Sequence, residues 1–227
     1  MQHPVIPKSA LQFLKNLSKN NDRDWFAKNK SKYETAHAAL KIFKDAVGKE
    51  MGKYDNIEKV KLHRIYRDVR FSKNKLPYKK SFSGSLSRAT NQLRGGYYWH
   101  IEPGGNSIVG GGFWGPNSED LKRIRQHIAF DDQPLRKILK SAKFKKQFGT
   151  LQGEQLKTAP RGFEKDHPAV DLLRYKQLYA FRTFTDAEVL DEKFLAELVK
   201  TFLALRPYFD YMSEILTTDL NGVPLYD

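Results

Sequence analysis

The chain has 227 residues, 40 Lys and Arg against 26 Asp and Glu, a formal net charge of +14 and no cysteine. The missing thiols exclude disulfides, cysteine nucleophiles and cysteine-based metal sites. Nowhere do about 18 apolar residues run together, so we expect a soluble, cytoplasmic protein that does not enter a membrane. The length suits a single domain comprising residues 1–227.

The N-terminal region has the periodicity of two amphipathic helices. The first begins at Ser9, and its apolar residues recur at helical spacing. Asp22 can cap the second helix, whose apolar positions step by threes and fours, after one seven-residue gap, as far as Met51. This pattern predicts one long helix of about eight turns that ends near Gly52.

The period changes from helical to two between residues 64 and 71, which predicts a strand with two different faces. The first face would consist of Ile65, Arg67, Val69 and Phe71. The second, charged face would consist of Arg64, Tyr66, Asp68 and Arg70. Asn74 and Pro77 would then close the strand into a basic loop over residues 72–80.

The middle of the chain predicts a β-hairpin. Residues 81–96 are rich in Ser, Gly and other polar groups and predict a long loop. Residues 97–102 and 107–114 then have the form of two strands joined by a Pro-Gly-Gly-Asn turn. The glycine run at residues 110–112 indicates a bulge, or a place where another backbone or a ligand comes close.

Helices and one more strand complete the chain. Two helices are predicted between residues 117 and 148, the first capped by Asn117 or Ser118, and residues 177–185 alternate as a strand. The C-terminal helix contains Pro207, which should kink or interrupt it. Helices at both ends with strands between them predict an α+β fold, in which helices flank a mostly antiparallel sheet.

The positive charge is concentrated in two segments. Residues 61–80 hold eight Lys or Arg and a single acid, Asp68, and residues 122–146 hold nine Lys or Arg and two acids. Each segment therefore carries +7, and the rest of the chain is neutral. Such localisation is typical of an anion-facing surface, because charge that only aids solubility would be scattered.

Several short motifs occur together along the chain. They are residues 20–26, 64–72, 75–79, 96–98, 111–116, 121–125, 166–168, 172–173 and Lys176. In these motifs the chain resembles the domain of unknown function 2461 family of bacterial and fungal proteins, from about Ser9 to the last helix. The resemblance implies a single domain and supplies no reaction mechanism.

The charged strand and the loop after it predict a site for an anion. Guanidinium groups can donate bidentate hydrogen bonds to phosphate or carboxylate, lysines add point charge, and aromatic rings offer stacking surfaces. The candidate ligand-binding residues are Arg64, Tyr66, Arg67, Arg70, Lys75, Tyr78, Lys79 and Trp114. Arg64 and Arg70 would lie about 20 Å apart on one strand face, with Arg67 on the other. We therefore expect a phosphate-bearing small molecule in a basic cleft, contacted mainly by residues 72–80.

Two other functions stay open. Basic residues interleaved with aromatic ones also suit a nucleic-acid-binding groove, although no helix-turn-helix, zinc-finger, RNP or KH signature is present. A scaffold or interaction protein would instead have its arginines paired with acids on a solvated strand face. Such a protein is expected to bind neither phosphate nor oligonucleotides.

The sequence assigns no catalytic residue, metal site or cofactor. The six histidines lack the HxH and HExxH spacings, and neither a G-x-S-x-G elbow nor a G-x-x-x-x-G-K-[ST] loop occurs. His100 and Glu102 would share a strand face and could form an acid–base pair, but two such residues on a hairpin are more often plain surface residues. The oligomeric state and the physiological partner stay open.

Overall fold

The computed structural model describes residues 4–225, so both ends of the expected domain, residues 1–3 and 226–227, lie outside the described part. The helices in this part are α1 Lys8–Lys19, α2 Arg23–Lys28, α3 Lys30–Met51, α4 Ser118–Phe130, α5 Gln133–Lys140, α6 Ala142–Phe148, α7 Val170–Leu173, α8 Asp186–Leu190 and α9 Phe194–Thr217. The strands are β1 Ile57–Leu62, β2 Phe82–Arg88, β3 Gly96–Ile101, β4 Ser107–Phe113 and β5 Leu178–Phe184.

The five strands form one antiparallel sheet in the order β1-β2-β3-β4-β5, which is their order in the sequence. Helices precede the first strand and follow the last, so the predicted α+β class is confirmed. None of the helices between residues 4 and 225 combines the length and the apolar character that a bilayer crossing requires.

The chain divides into two compact units. The first consists of the described residues of Met1–Ser87, Tyr98–Val109 and Thr183–Lys200, and the second of those of Arg88–Tyr97, Gly110–Arg182 and Thr201–Asp227. The assignment of the whole chain to a single domain stays a prediction.

The first unit has an aromatic core. The rings of Phe13 and Tyr33 lie 6.3 and 6.2 Å from the ring of Phe82, and Phe43 lies 5.6 Å from both Trp99 and Phe194. All of these rings except Tyr33 are buried. Burial of each large ring stabilises the fold by about 1.5–3 kcal/mol, so this core fixes α1 and α3.

The second unit is built around residues 201–217 of α9. Tyr97 lies 4.9 Å from Phe202 and 5.0 Å from Phe209, and the hydroxyl of Tyr208 donates to the carbonyl oxygen of Leu178 over 3.1 Å. The helix continues through Pro207, so of the two predicted effects of this proline the interruption does not occur. Fully buried apolar residues on both sides of the proline, Leu205 and Tyr208 among them, hold the helix in place.

The predicted long second helix is two helices. Asp22 caps the first of them as expected, since its carboxylate accepts from the backbone N–H of Trp25 over 2.8 Å. The helix then breaks at Asn29, which has φ −112° and ψ 18° and begins α3. This break lies inside the seven-residue gap between Phe26 and Tyr33, where the apolar periodicity is lost.

Two predictions between residues 64 and 96 are wrong. Residues 64–71 do not form a strand. The regular strand β1 lies earlier, at Ile57–Leu62. Residues 81–96 are not one long loop, because seven of them form β2. The chain from residue 63 to residue 81, which connects these strands and which we call the arm, contains only an isolated bridge between Tyr66 and Tyr78.

The predicted hairpin is confirmed as β3 and β4. Gly104 and Gly105 have φ of 87° and 75°, and their backbone N–H groups donate to Asp186 over 2.9 and 3.1 Å. A Cβ on Gly110 would lie 2.0 Å from the carbonyl oxygen of Ala180. The glycine run therefore lies where another backbone, that of β5, comes close, which is one of the interpretations given for it above.

Candidate functional site

The arm begins as two chain segments held together by backbone hydrogen bonds. The N–H of Arg67 donates to the carbonyl oxygen of Pro77 over 2.9 Å, and that of Lys79 donates to Ile65 over 2.8 Å. Regular pairing ends there, because proline has no N–H to offer the next bond. The residues beyond this point, 68–76, form what we call the arm tip.

Asn21 attaches the arm to the start of α2. Its side-chain amide accepts from the N–H of Tyr78 over 3.1 Å and donates to the carbonyl oxygen of Tyr78 over 3.0 Å. The ring of Tyr78 is 6% exposed and stacks on Phe26, with the centroids 4.1 Å apart and the planes 11° apart. Tyr78 therefore holds the arm through core packing, and this face of its ring is already occupied.

Tyr66 occupies the same aromatic cluster from the opposite segment of the arm. Its ring lies 5.6 Å from Phe26 and 5.5 Å from Tyr78, and the residue is 44% exposed. Two of the predicted ligand-binding aromatics, Tyr66 and Tyr78, thus pack together against Phe26. Of these two, only Tyr66 keeps substantial contact with solvent.

Two predicted cations serve the arm tip itself. Arg67 donates from Nη1 to the carbonyl oxygen of Leu76 over 2.9 Å. Lys75 donates from Nζ to the carbonyl oxygens of Val69 and Arg70 over 3.0 and 3.2 Å. These side chains satisfy carbonyl groups that a strand would have bonded to a neighbouring strand. They hold residues 68–76 in an irregular loop.

Arg70 forms a bidentate ion pair with Asp68. Nε and Nη2 of Arg70 lie 3.0 and 2.7 Å from the two carboxylate oxygens, and both side chains are well exposed. This pairing, followed by the nearby charge of Arg64, holds the pKa of Asp68 below its ordinary value. Arg70 therefore has one guanidinium nitrogen, Nη1, outside the pair.

The base of the arm carries a different set of cations. Lys61, His63, Arg64 and Lys79, which we call the basal cluster, form no ion pair with a carboxylate among the described residues. Burial lowers the pKa of Lys79, and the charges of Arg64 and Lys61 lower it further. Burial likewise lowers the pKa of His63, with added effects from Lys79 and Lys61. Neighbouring positive charges therefore disfavour the protonated forms of His63 and Lys79.

Hydroxyl groups adjoin the basal cluster on the same sheet. The imidazole ring of His63 lies 6.2 Å from the ring of Tyr98, whose hydroxyl is hydrogen-bonded to the side chain of Ser83. Burial raises the pKa of Tyr98, so its hydroxyl stays protonated at neutral pH and can donate. The backbone N–H of His63 donates to the carbonyl oxygen of Ser83 over 2.8 Å, which fixes this register.

His100 and Glu102 follow Tyr98 along the hairpin. Nε2 of His100 lies 3.0 Å from the carbonyl oxygen of Asn106 and 3.5 Å from a carboxylate oxygen of Glu102. Burial lowers the pKa of His100. A neutral His100 therefore donates its Nε2 hydrogen to the turn carbonyl of Asn106.

A cleft of about 630 Å³ opens between the arm tip and the start of α2. Three cations line it, Arg23, Lys73 and Lys75, together with one acid, Asp22. The remaining lining residues are Asn21, Val69, Asn74, Leu76 and Pro77. This volume lies within the range of small-molecule sites, and we call it the tip cleft. Of the eight predicted ligand-binding residues only Lys75 lines it.

Trp114 belongs to the second unit, unlike the other seven predicted ligand-binding residues. It is 60% exposed, and its ring stacks on Tyr179 with the centroids 4.3 Å apart and the planes 19° apart. One face of the indole is therefore occupied within that unit.

Sequence reasoning did not connect Lys61, His63 and Tyr98 with Arg64 and Lys79. Lys61 and His63 precede the segment that was expected to be a strand. No spacing connects them with Lys79, which follows His63 by sixteen residues. The signal that could have found them is the alternation of Ser81, Ser83, Ser85 and Ser87. It places a polar strand face beside the arm.

The described residues contain no group of three or more His, Cys, Asp and Glu side chains that could hold a metal ion. Comparison with curated proteins and with solved structures found no match. Comparison with protein families matched residues 9–211 to one family, described as a conserved hypothetical protein (DUF2461). The match covers most of the chain and includes the arm and most of both units. The chain therefore belongs to the DUF2461 family.

Proposed function

We propose that this protein binds a phosphate-bearing anion at the basal cluster. The observation that carries the proposal is that Lys61, His63, Arg64 and Lys79 are near one another. None of the four forms an ion pair with a carboxylate among the described residues. Unpaired like charges destabilise a fold, and a bound anion removes that cost.

The chemistry of the groups favours phosphate over a simple halide. Arg64 offers a planar fork for two phosphate oxygens, and Lys79 adds a compact charge. The hydroxyl of Tyr98 adds a neutral donor beside His63. Hydrogen bonds from charged donors to oxyanions are about twice as strong as neutral ones, so a tetrahedral oxyanion can engage several of these groups at once.

The other candidate residues have supporting roles in this proposal. Arg67 and Lys75 brace the arm tip, and Arg70 is paired with Asp68. Of the cations assigned to the site from the sequence, Arg64 and Lys79 are therefore the ones that contact the anion.

The test measures pyrophosphate binding by isothermal titration calorimetry at low ionic strength. We expect Lys79→Met and Arg64→Ala each to weaken binding about tenfold, since one charge-assisted hydrogen bond contributes about 1.4 kcal/mol. Lys143→Met is the matched control, because it removes one exposed lysine charge from the other basic segment. This control should change affinity less than twofold.

The imidazole signals of His63 provide a second measurement. A bound anion favours the protonated ring, so pyrophosphate should raise the pKa of His63 in an NMR titration. If pyrophosphate leaves this pKa unchanged, or if Lys143→Met weakens binding as much as Lys79→Met does, the basal cluster is not the site.

A further inference from the structure

The arm tip presents one fully exposed aromatic side chain. Phe71 is 97% exposed, whereas the next most exposed large apolar residue between residues 4 and 225, Phe130, is 74% exposed. The guanidinium carbon of Arg70 lies 5.9 Å from the centre of the Phe71 ring. The two side chains form a cation–π pair at the end of the loop.

Hydrogen bonds within the tip keep this ring away from the core. Besides the bonds from Arg67 and Lys75, the N–H of Ser72 donates to Val69 over 3.3 Å, and that of Leu76 donates to the side chain of Asn74 over 3.0 Å. A loop that is already ordered loses little conformational entropy when it binds a partner. The tip therefore offers a preorganised aromatic surface.

The charges around Phe71 select an anionic partner. Residues 68–76 contain Arg70, Lys73 and Lys75 against one acid, Asp68, and the tip cleft adds Arg23 and one acid, Asp22. We propose that the arm tip binds single-stranded nucleic acid, with an unpaired base stacked on Phe71 and the neighbouring phosphates on Lys73 and on Nη1 of Arg70, which lies outside the pair with Asp68. This site is separate from the basal cluster and does not depend on it.

Single strands fit the tip better than a membrane does. Proteins that bind single strands combine a positive surface with aromatic rings on which bases stack, and Arg adds cation–π contacts. Attachment to a membrane surface scales with the apolar area that enters the bilayer, and one ring among several cations provides little of it. The Phe71–Arg70 pair thus favours a flat partner.

The test measures binding of a fluorescent oligothymidine of twelve nucleotides by anisotropy in about 50 mM salt. We expect Phe71→Ala to weaken binding about five- to one-hundred-fold, as for the loss of one stacked base. Phe71→Trp should keep or strengthen binding. Phe71→Leu retains an apolar side chain but no ring face, and it should weaken binding nearly as much as Phe71→Ala. All four proteins retain Arg70 and every lysine.

An abasic strand with the same phosphates isolates the stacking contribution. Its affinity should be the same for the unaltered protein and for Phe71→Ala. The inference is overturned if oligothymidine does not bind, if Phe71→Ala binds it normally, or if Phe71→Leu binds it as well as the unaltered protein. It is also overturned if vesicles rich in phosphatidylserine bind the tip in place of the oligonucleotide. Lys79→Met affects this assay by less than Phe71→Ala does, so failure of the phosphate site and failure of the tip site are distinguishable.

Discussion

Two segments of this chain carry the same formal charge and use it differently. Residues 61–80 and residues 122–146 each carry +7. In the second segment the arginines bind backbone carbonyls and carboxylates of their own unit. In the first, the basal cluster forms no ion pair within the described residues.

Arg136 is the clearest case in the second segment. It donates from Nε to Asp132 over 2.7 Å, and from Nη1 and Nη2 to Asp171 over 3.0 and 2.7 Å. Arg125 donates to the carbonyl oxygens of Leu173 and Tyr175. Both arginines connect the helices of this segment to residues 171–175. Their charge therefore stabilises the fold instead of facing a ligand.

Charge density in a sequence therefore does not measure the charge that is available to a partner. The deciding quantity is the number of acids and carbonyls that the fold places beside each cation. A guanidinium that already donates three hydrogen bonds has little left for a ligand, whereas repelling cations with lowered pKa values gain most from a bound anion.

The largest effect that tests this comparison is expected at Arg136. Arg136→Ala removes three hydrogen bonds to two carboxylates. It leaves Asp132, whose side chain is 12% exposed, without its ion-pair partner. We expect the free energy of unfolding to fall by about 2 kcal/mol, between the values for exposed and buried pairs. Arg64→Ala should change it by less than about 0.5 kcal/mol. Urea denaturation at neutral pH measures both.

Arg136→Lys is the control for charge alone. It retains the positive charge but loses the planar fork, so it should recover only part of the lost stability. Equal destabilisation by Arg136→Ala and Arg64→Ala would show that the two segments do not differ in the way described.

A smaller effect is expected at Asn21, which attaches the arm to α2. Asn21→Ala removes both hydrogen bonds to the backbone of Tyr78 and should cost about 1–2 kcal/mol. Backbone amides that close the arm, those of Arg67 and Lys79, should then exchange faster with deuterium. Asn20→Ala is the control, because the Asn20 side chain bonds only within α1 and its end. Unchanged exchange at Lys79 would contradict this role of Asn21.

Elements with strong periodicity could be predicted from the sequence. The Asp22 cap, the Pro-Gly-Gly-Asn hairpin and the alternating strand β5 are each local in origin, so their residues carry the signal. The α+β class followed from the order of these elements. The arm could not be predicted in this way, because Arg67 and Lys75 replace strand pairing with bonds from side chains.

The site was harder to predict than the fold. The sequence named Arg64 and Lys79 of the proposed basal cluster, but a strand pattern alone could not reveal that Arg70 pairs with Asp68. It also could not reveal that the ring of Tyr78 packs on Phe26, from a helix more than fifty residues earlier. Charge and aromatic content are visible in a sequence, whereas the partner of each group depends on long-range packing.

The smallest effect is expected at Lys79, a half-buried lysine whose charge acts on His63. The folded pKa of His63 lies below the ordinary value of 6.5, so the unfolded chain takes up its proton first as the pH falls. The stability associated with His63 is present above pH 6.5 and is lost as the pH falls through the folded value. Lys79→Met removes one repelling charge, so the pKa of His63 should rise toward 6.5 and this loss should become shallower. The gain at neutral pH should not exceed about 0.5 kcal/mol.

NMR titration of the imidazole and urea denaturation at several pH values measure these changes. An unchanged His63 pKa in Lys79→Met would mean that the two cations do not interact, and the basal cluster would then lose the property that distinguishes it from residues 122–146.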